Sequence, residues 1–372
     1  MRKRTGSVVH RKDGTWWARI TFTDPVTGQR HDFTRRAKNR ADAKDKQHAL
    51  VREVEQSEGR TVLNERKTFA ELADFFESAF LIPAKYVDGR KVEGLRSVRT
   101  LLLHLRCLRE HFGKTRLRAF TYESLRVFRA KRLATETRSG GQRTIASVNR
   151  ELALLRRMLN IAEREGWIVR SPFRNGESLI SPADERQRTR ILSPAEEAKL
   201  LAACEHPQRR HLAPIVICAL DTGMRLGEIL SLSWSDIDFE NGSITIRASN
   251  TKTQTARVVS LTKRLRFALE RLQEGQQGAQ TVFGITTVKH SFTAARRVAG
   301  LDGVRFHDLR HTAATRLVQG HLALAEVGRI LGHTQPRTTY RYTNSNLETA
   351  ERAAAILDAH AVAIETSDQT VN

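Results

Sequence analysis

The chain has 372 residues and carries 63 Lys and Arg against 41 Asp and Glu, a formal net charge of +22. That length exceeds one ordinary core and implies two or three domains, and a hydrophobic content of 40% excludes wholesale disorder. No stretch approaches the roughly 20 consecutive apolar residues of a membrane span. The basic start Met1-Arg2-Lys3-Arg4 leads into no long apolar run, so no signal peptide is expected. The charge points to a polyanionic partner, either nucleic acid or an anionic membrane surface. Cys107, Cys204 and Cys218 are too scattered for a disulfide framework or a cysteine zinc site, and fit a reducing cytoplasm.

Residues 1–67 carry 17 basic and 9 acidic side chains. Strand-like runs at Ser7 to Arg11, Thr15 to Phe22 and Gln29 to Thr34 are separated by the turn signals Lys12-Asp13-Gly14 and Asp24-Pro25-Val26-Thr27-Gly28. Asn39 to Gln56 has helical periodicity. The expected product is a three-stranded sheet with one helix, its tryptophans serving as packing anchors. Arg19, Arg30, Arg35 and Arg36 fit either a DNA groove or a solvated surface.

Residues 68–185 carry 22 basic and 14 acidic side chains and have only helical patterns. Thr68-Phe69-Ala70-Glu71 has the form of a capping box. Helix-like periods follow at Leu95 to Phe112, Thr121 to Leu133 and Thr144 to Glu165. Arginines stud them, Arg99 and Arg106 among them, and their excess over acids suits phosphate contact.

Residues 186–372 hold 24 basic and 18 acidic side chains. The segment opens on Ser193-Pro194, an N-cap followed by proline at the first helical position. Helices then alternate with one strand pair, Ser243 to Ala248 and Ala256 to Leu261, whose polar turn carries Lys252. Four short stretches concentrate reactive groups. In Thr222-Gly223-Met224-Arg225-Leu226-Gly227-Glu228, Gly223 permits a sharp turn and Arg225 starts a helix with Glu228 one turn on. Lys252 forms the second stretch, and His307-Asp308-Leu309-Arg310-His311 the third, ahead of a helical run from Thr312 to Val318. The fourth is Leu331-Gly332-His333 with Thr338-Thr339-Tyr340-Arg341-Tyr342.

Taken singly, each stretch has a plain reading: a surface ion pair, a solubilising lysine, packed histidines. His307 and His311 also have the four-residue spacing of a zinc hydrolase helix, with Glu326 as the nearby candidate for a third ligand. No apolar helix leads into His307, because Asp302 and Gly303 lie close before it, so no metal site is expected.

Together, and in this order, the stretches resemble the tyrosine recombinase, or phage integrase, family. The match runs through the whole of residues 186–372. It comprises the Thr-Gly-Met-Arg-Leu-Gly-Glu box, the Lys252 hairpin, His307-x-x-Arg310, Leu331-Gly332-His333 and a tyrosine nine residues after His333. Residues 1–67 and 68–185 are similar, less specifically, to that family's arm-type DNA-binding and helical core-binding domains. The resemblance implies a small α+β arm-binding domain, an all-α core-binding domain and a mainly α catalytic domain with a small antiparallel sheet.

It further implies that Tyr342 is the nucleophile and that Arg225 and Arg310 clamp the phosphate. Lys252 would protonate the leaving 5′ oxygen, His307 assist proton transfer at the tyrosine, His333 hydrogen-bond the phosphate and Glu228 orient the site. No cofactor or metal is needed. Tyr340 is an alternative nucleophile by position, but the spacing from His333 selects Tyr342. Where Asn344 stands, relatives often have histidine.

The partners implied are duplex DNA attachment sites, a homotetramer on DNA, and accessory DNA-bending or directionality proteins, in the cytoplasm of a bacterial host. Leu347 to Ile364 is alanine-rich and helical in pattern, suited to docking on a neighbour or to closing the chain's own core. The rival functions are a DNA-binding regulator that has lost catalysis and a type IB topoisomerase sharing the chemistry.

Overall fold

The structure, a computed structural model, describes residues 6–24, 27–87, 90–137, 140–185, 188, 190–248, 255–275 and 279–342. Lys252, the Leu347–Ile364 segment and Asn344 lie outside the described residues. The chain divides into two units, Met1–Gln187 and Arg188–Asn372, and is mostly helical with small antiparallel sheets. No described helix is long and apolar enough to cross a membrane.

The first unit begins with an antiparallel sheet of β1 (Ser7–His10), β2 (Trp16–Thr23) and β3 (Arg30–Ala37), β2 lying between the other two. Strand alternation puts Ala18, Ile20 and Phe22 of β2 on one face. They pack on Leu50 and Val54 of α1 (Arg40–Ser57) and Val62 of α2 (Arg60–Leu63). Asn39 starts α1 by accepting the Asp42 N–H at 2.9 Å. The tryptophans are not anchors of this core, contrary to expectation. Trp17 points the other way on the pleat and takes the Arg11 guanidinium 4.1 Å from its ring centre, while Trp16 stacks on its cross-strand partner His10 at 4.3 Å.

A second core in the same unit is built by α3 (Phe69–Phe80), α4 (Arg99–Phe112), α5 (Tyr122–Ala134) and α6 (Ile145–Arg164), around Phe69, Phe76, Leu108, Phe128, Leu152 and Met158. The Thr68 capping box is present, with Glu71 accepting the Thr68 N–H at 2.8 Å. A hairpin that periodicity did not predict, β4 (Lys85–Val87) with β5 (Arg90–Glu93), separates α3 from α4. It also displaces the start of α4 from Leu95 to Arg99. The Leu95 N–H donates to Ile82 O at 2.8 Å and Leu95 O accepts from Ala84, so Leu95 forms a parallel bridge with Pro83, just ahead of the hairpin, and is lost to the helix.

In the second unit α7 (Pro194–Cys204), α8 (Leu212–Thr222) and α9 (Leu226–Leu230) precede a sheet of β6 (Ile237–Asp238), β7 (Ser243–Ile246) and β8 (Arg257–Ser260). The sequence showed the β7–β8 pair; β6 is a third strand too short to carry a pattern. Then come α10 (Lys263–Glu274), α11 (Lys289–Val298), α12 (Phe306–Gln319), α13 (Leu324–Leu331) and α14 (Pro336–Tyr340). Their core includes Leu200, Ile215, Val216, Ile229, Ile244, Leu265, Phe292 and Leu309. The hydrophobic α8, with Ile215, Val216 and Ala219 fully buried, runs through its middle, so both of its ends are fixed by packing.

Candidate active site

Three helix ends and one strand build the site. Helix α8 stops at Gly223, whose φ of 64° is costly for any residue with a Cβ; a Cβ there would also lie 2.5 Å from Leu331 Cδ2. The chain therefore turns sharply and delivers Arg225 to the start of α9. Glu228, one turn on, accepts the Arg225 backbone N–H at 2.9 Å and its Nη1 at 2.8 Å. This is no surface ion pair, because Glu228 is only 2% exposed. Its other donors come from Arg257 on β8, Nη2 at 2.6 Å and Nη1 at 3.2 Å. Burial alone would raise the Glu228 pKa, but the hydrogen bonds from Arg257 and the Arg225 N–H outweigh it and hold the group below its ordinary value.

Helix α12 begins earlier than its hydrophobic period suggested, at Phe306. Asp308 accounts for this: it accepts the Arg305 N–H at 2.8 Å and receives Arg188 at 2.8 and 2.7 Å, fixing the first turn. His307, Arg310 and His311 are consequently helical and, at i, i+3 and i+4, share a face. Arg310 is 2% exposed. Its Nη1 donates to Gly223 O at 2.6 Å and its Nη2 to Leu331 O at 2.7 Å. These are terminal carbonyls of α8 and α13, where the helix dipoles favour a cation. Even so, burial, followed by repulsion from Arg225, pushes Arg310 down to about 10.

Helix α13 ends at Gly332, also left-handed at φ 68°, and His333 folds back with its N–H on Gly328 O at 2.9 Å. His333 Nδ1 lies 2.9 Å from Thr339 Oγ1, and its ring stacks on that of Tyr342 with 6.1 Å between centroids. Arg225 Nη2 reaches Gly332 O at 3.4 Å, and Arg257 Nε donates to Ile330 O at 2.8 Å. Three consecutive carbonyls, Ile330 to Gly332, thus receive three different arginines. Tyr342, just past α14, is buried beside Ala314, Val327 and Leu331. Its hydroxyl lies 3.2 Å from His311 Nδ1. Tyr340 is 61% exposed.

The structure thus gathers Arg225, Glu228, Arg310, His333 and Tyr342 in one place. His307 is next to them, its ring 4.9 Å from that of His311. All three histidines are pushed down, first by burial and then by neighbouring cations, His311 and His333 to about 4. Tyr342 is pushed up by burial, against the pull of Arg310, Arg341 and Arg225.

Two residues that reading the sequence missed are Arg257 and His311 as partners of the site. Arg257 left no signal beyond being an arginine in a strand next to the Lys252 turn. His311 stood in the metal pattern with His307, which hid its contact with Tyr342. Glu326, the third ligand of that pattern, is exposed at the start of α13, where it accepts the Ala323 N–H at 3.1 Å. Among the described residues no group of three or more His, Cys, Asp or Glu side chains converges as a metal site would require.

The other DNA-contact candidates belong to the first unit. Arg30, Arg99 and Arg106 are exposed. Arg19 pairs with Asp32 across the sheet. Arg35 is half-buried against Glu53 and Glu65 at 2.9 and 3.2 Å, which gives it structural work.

Residues 190–349 match the model of the phage integrase family. Over that stretch the chain is similar to the phage integrases, the tyrosine recombinases. Among curated relatives, the chain is 32% identical over 229 residues to the shufflon-specific DNA recombinase of Escherichia coli, covering 60% of this chain and 58% of that one. It is 30% identical over 169 residues to tyrosine recombinase XerA of Saccharolobus solfataricus, covering 45% and 56%. It thus spans little more than half the length of these two relatives. With the integrase of Escherichia phage 186 it shares 28% identity over 289 residues, 75% of this chain and 78% of that one. Two solved structures share its fold. A lambda integrase dimer bound to a core site has a TM-score of 0.60 at 18% identity, covering 92% of this chain and 96% of that one. The Tn1549 transposon integrase with transposon right-end DNA has a TM-score of 0.62 at 17% identity, covering 78% and 100%.

Proposed function

We propose that this chain is a site-specific DNA recombinase, an integrase that cleaves and rejoins duplex DNA through a 3′-phosphotyrosyl intermediate and so integrates or excises a mobile element. The observation that carries this reading is a charge imbalance beside a buried phenol. Three guanidiniums, of Arg225, Arg257 and Arg310, surround one carboxylate, Glu228. Buried cations without a counter-charge are costly, and a phosphodiester is the anion that relieves the cost next to Tyr342.

The chemistry follows from the groups. The phenol oxygen of Tyr342 attacks phosphorus, a bond to the 3′ phosphate forms, and the bond to the 5′ oxygen breaks. The Arg225 and Arg310 forks bind the non-bridging oxygens and, already held by carbonyls and Glu228, need little rearrangement as charge builds in the transition state. Lys252 delivers a proton to the departing 5′ oxygen. His307 assists proton transfer at the tyrosine and His333 hydrogen-bonds the phosphate, a role suited to a neutral imidazole with one N–H to donate. The phosphotyrosyl bond keeps the phosphodiester energy, so rejoining to another 5′-hydroxyl needs neither ATP nor metal.

Residues 1–67 act in this reading as the arm-type DNA-binding domain, 68–185 as the core-binding domain and 186–372 as the catalytic domain. Two duplexes exchanged through four cleavages require four copies, so the working form is a homotetramer on DNA, aided by DNA-bending or directionality proteins in a bacterial cytoplasm. The solved lambda integrase tetramer on a Holliday junction supports that stoichiometry by analogy. The test is covalent trapping on a nicked duplex that spans a junction of the encoding element with its chromosome. Wild-type protein forms the adduct; an adduct formed equally by Tyr342→Phe overturns the nucleophile assignment. Strand exchange at full rate by Lys252→Ala removes the general acid.

A further inference from the structure

We propose that His311 is a further catalytic residue of this site, its Nδ1 accepting the hydrogen bond of the Tyr342 hydroxyl and fixing the direction in which the nucleophilic oxygen points. The inference rests on the recombinase reading above and adds to it a residue to which that reading gave no role.

Two histidines stand one turn apart on α12, and the tyrosine chooses between them. The phenol oxygen is 3.2 Å from His311 Nδ1, with ring centroids 5.6 Å apart. His307 meets His311 edge to face at 4.9 Å. Both members of the contact are buried, Tyr342 at 6% and His311 at 6% exposure, so water does not compete for the hydroxyl.

The direction of the hydrogen bond follows from the donor inventory. The cations acting on the Tyr342 oxygen are Arg310, Arg341 and Arg225, and a guanidinium has donors and no acceptor. The hydroxyl hydrogen therefore goes to His311, which must present a lone pair at Nδ1 and carry its proton on Nε2. The surroundings favour that neutral form: burial, His307, Arg341 and Arg310 disfavour a charged imidazole and outweigh Asp308. An oxygen whose hydrogen is held on one side presents its lone pairs to the others. A phenol otherwise free to rotate about its C–O bond is thereby oriented before substrate arrives.

The position of Tyr342 in the chain makes such a contact useful. It follows α14, a helix of five residues, and its backbone is fixed by one N–H bond to Thr339 O at 3.0 Å. His311, inside the 14-residue α12, ties the reactive end of the side chain to the rigid element that also carries Arg310.

The test compares wild type, His311→Leu, His311→Asn and Tyr342→Phe on the nicked junction duplex, measuring single-turnover adduct formation and duplex affinity. The Asn carboxamide oxygen replaces the Nδ1 acceptor; Leu does not. His311→Leu is expected to slow adduct formation about tenfold or more, the scale of a lost orienting contact, at unchanged duplex affinity, and His311→Asn to recover most of the rate. Nitrogen-15 NMR of the full chain should show the His311 Nδ1 resonance moving in Tyr342→Phe. A wild-type rate in His311→Leu overturns the proposal, as does an Asn variant as slow as Leu while melting at the wild-type temperature. If Leu does not fold, an Nδ1 resonance unmoved by Tyr342→Phe overturns it. An adduct that persists in Tyr342→Phe instead sinks the nucleophile assignment beneath it, a distinguishable failure.

Discussion

Glu228 and Arg257, 29 positions apart, form a two-point ion pair with both nitrogens of the arginine fork on the two carboxylate oxygens at 2.6 and 3.2 Å. The same carboxylate holds Arg225, and the same guanidinium holds Ile330 O next to the Leu331 and Gly332 carbonyls. Strand β8 is thereby tied to α9 and to the end of α13 at the point where the reactive groups meet. Removing Arg257 leaves buried Glu228 with its Arg225 donors only and Ile330 O without its partner, at a cost of about 1–3 kcal/mol. Arg257→Ala is therefore expected to lower the melting temperature of the second unit by roughly 2 °C or more and to slow adduct formation through misplacement of Arg225. A calorimetric melt with the wild-type transition temperature would contradict this.

The site also predicts an acid-sensitive fold. His311 and His333 are pushed from the ordinary 6.5 to about 4. The unfolded chain then binds more protons between those values, so stability falls as pH drops from 6.5 towards 4 and the histidine contribution flattens below that. Glu228 is shifted down from 4.5, and its contribution, present above 4.5, is lost as pH falls through its lower folded value. Melting temperature followed from pH 7 to pH 4 should decline less in His311→Asn than in wild type. Parallel curves would contradict the histidine assignment.

Tyr340 and Tyr342 are separable by experiment because one is exposed and the other buried. Tyr340→Phe should keep at least about half of the adduct-forming rate, since substitution of an exposed side chain contributes little. Tyr342→Phe should form no adduct. A gel of trapped complexes for the two variants decides it.

Gly223 supplies a third kind of test. At φ 64° a Cβ costs about 1–2 kcal/mol, and at this position it would also press on Leu331 Cδ2. Gly223→Ala is expected to destabilise the second unit by at least that much and to displace the carbonyl that receives Arg310 Nη1. Denaturant unfolding with an unchanged midpoint would refute it.

The +22 charge predicts strongly salt-dependent binding to duplex DNA. With a contribution of about −0.9 per neutralised phosphate, a protein contacting six or more phosphates gives a log–log slope steeper than about −5. Affinity titrations between roughly 50 and 200 mM salt measure it, and a slope near zero would remove the electrostatic account.

Much of the local architecture was readable before folding. The Thr68 capping box, the proline-led start of α7 and the turn at Gly223 obey rules that act within four residues, and each stands in the structure. Leu95 shows where such rules end: its helical period was genuine, but Ile82 and Ala84, 13 and 11 residues back, claimed its N–H and C=O. Trp17 shows the same limit, since hydrophobicity does not say which face of the pleat meets the helix.

The order and spacing of the reactive stretches carried the resemblance to the tyrosine recombinases, and that resemblance pointed to Arg225, Arg310, His333 and Tyr342. Tertiary structure alone decided their partners. Arg257 became the counterpart of Glu228, His311 the neighbour of the phenol, and Arg35 an internal ion pair instead of a free cation, each through contacts 18 to 31 positions apart. The reason is physical: a charged or polar side chain has much the same intrinsic preferences wherever it stands, and its role is set by the burial and the charges that folding places around it.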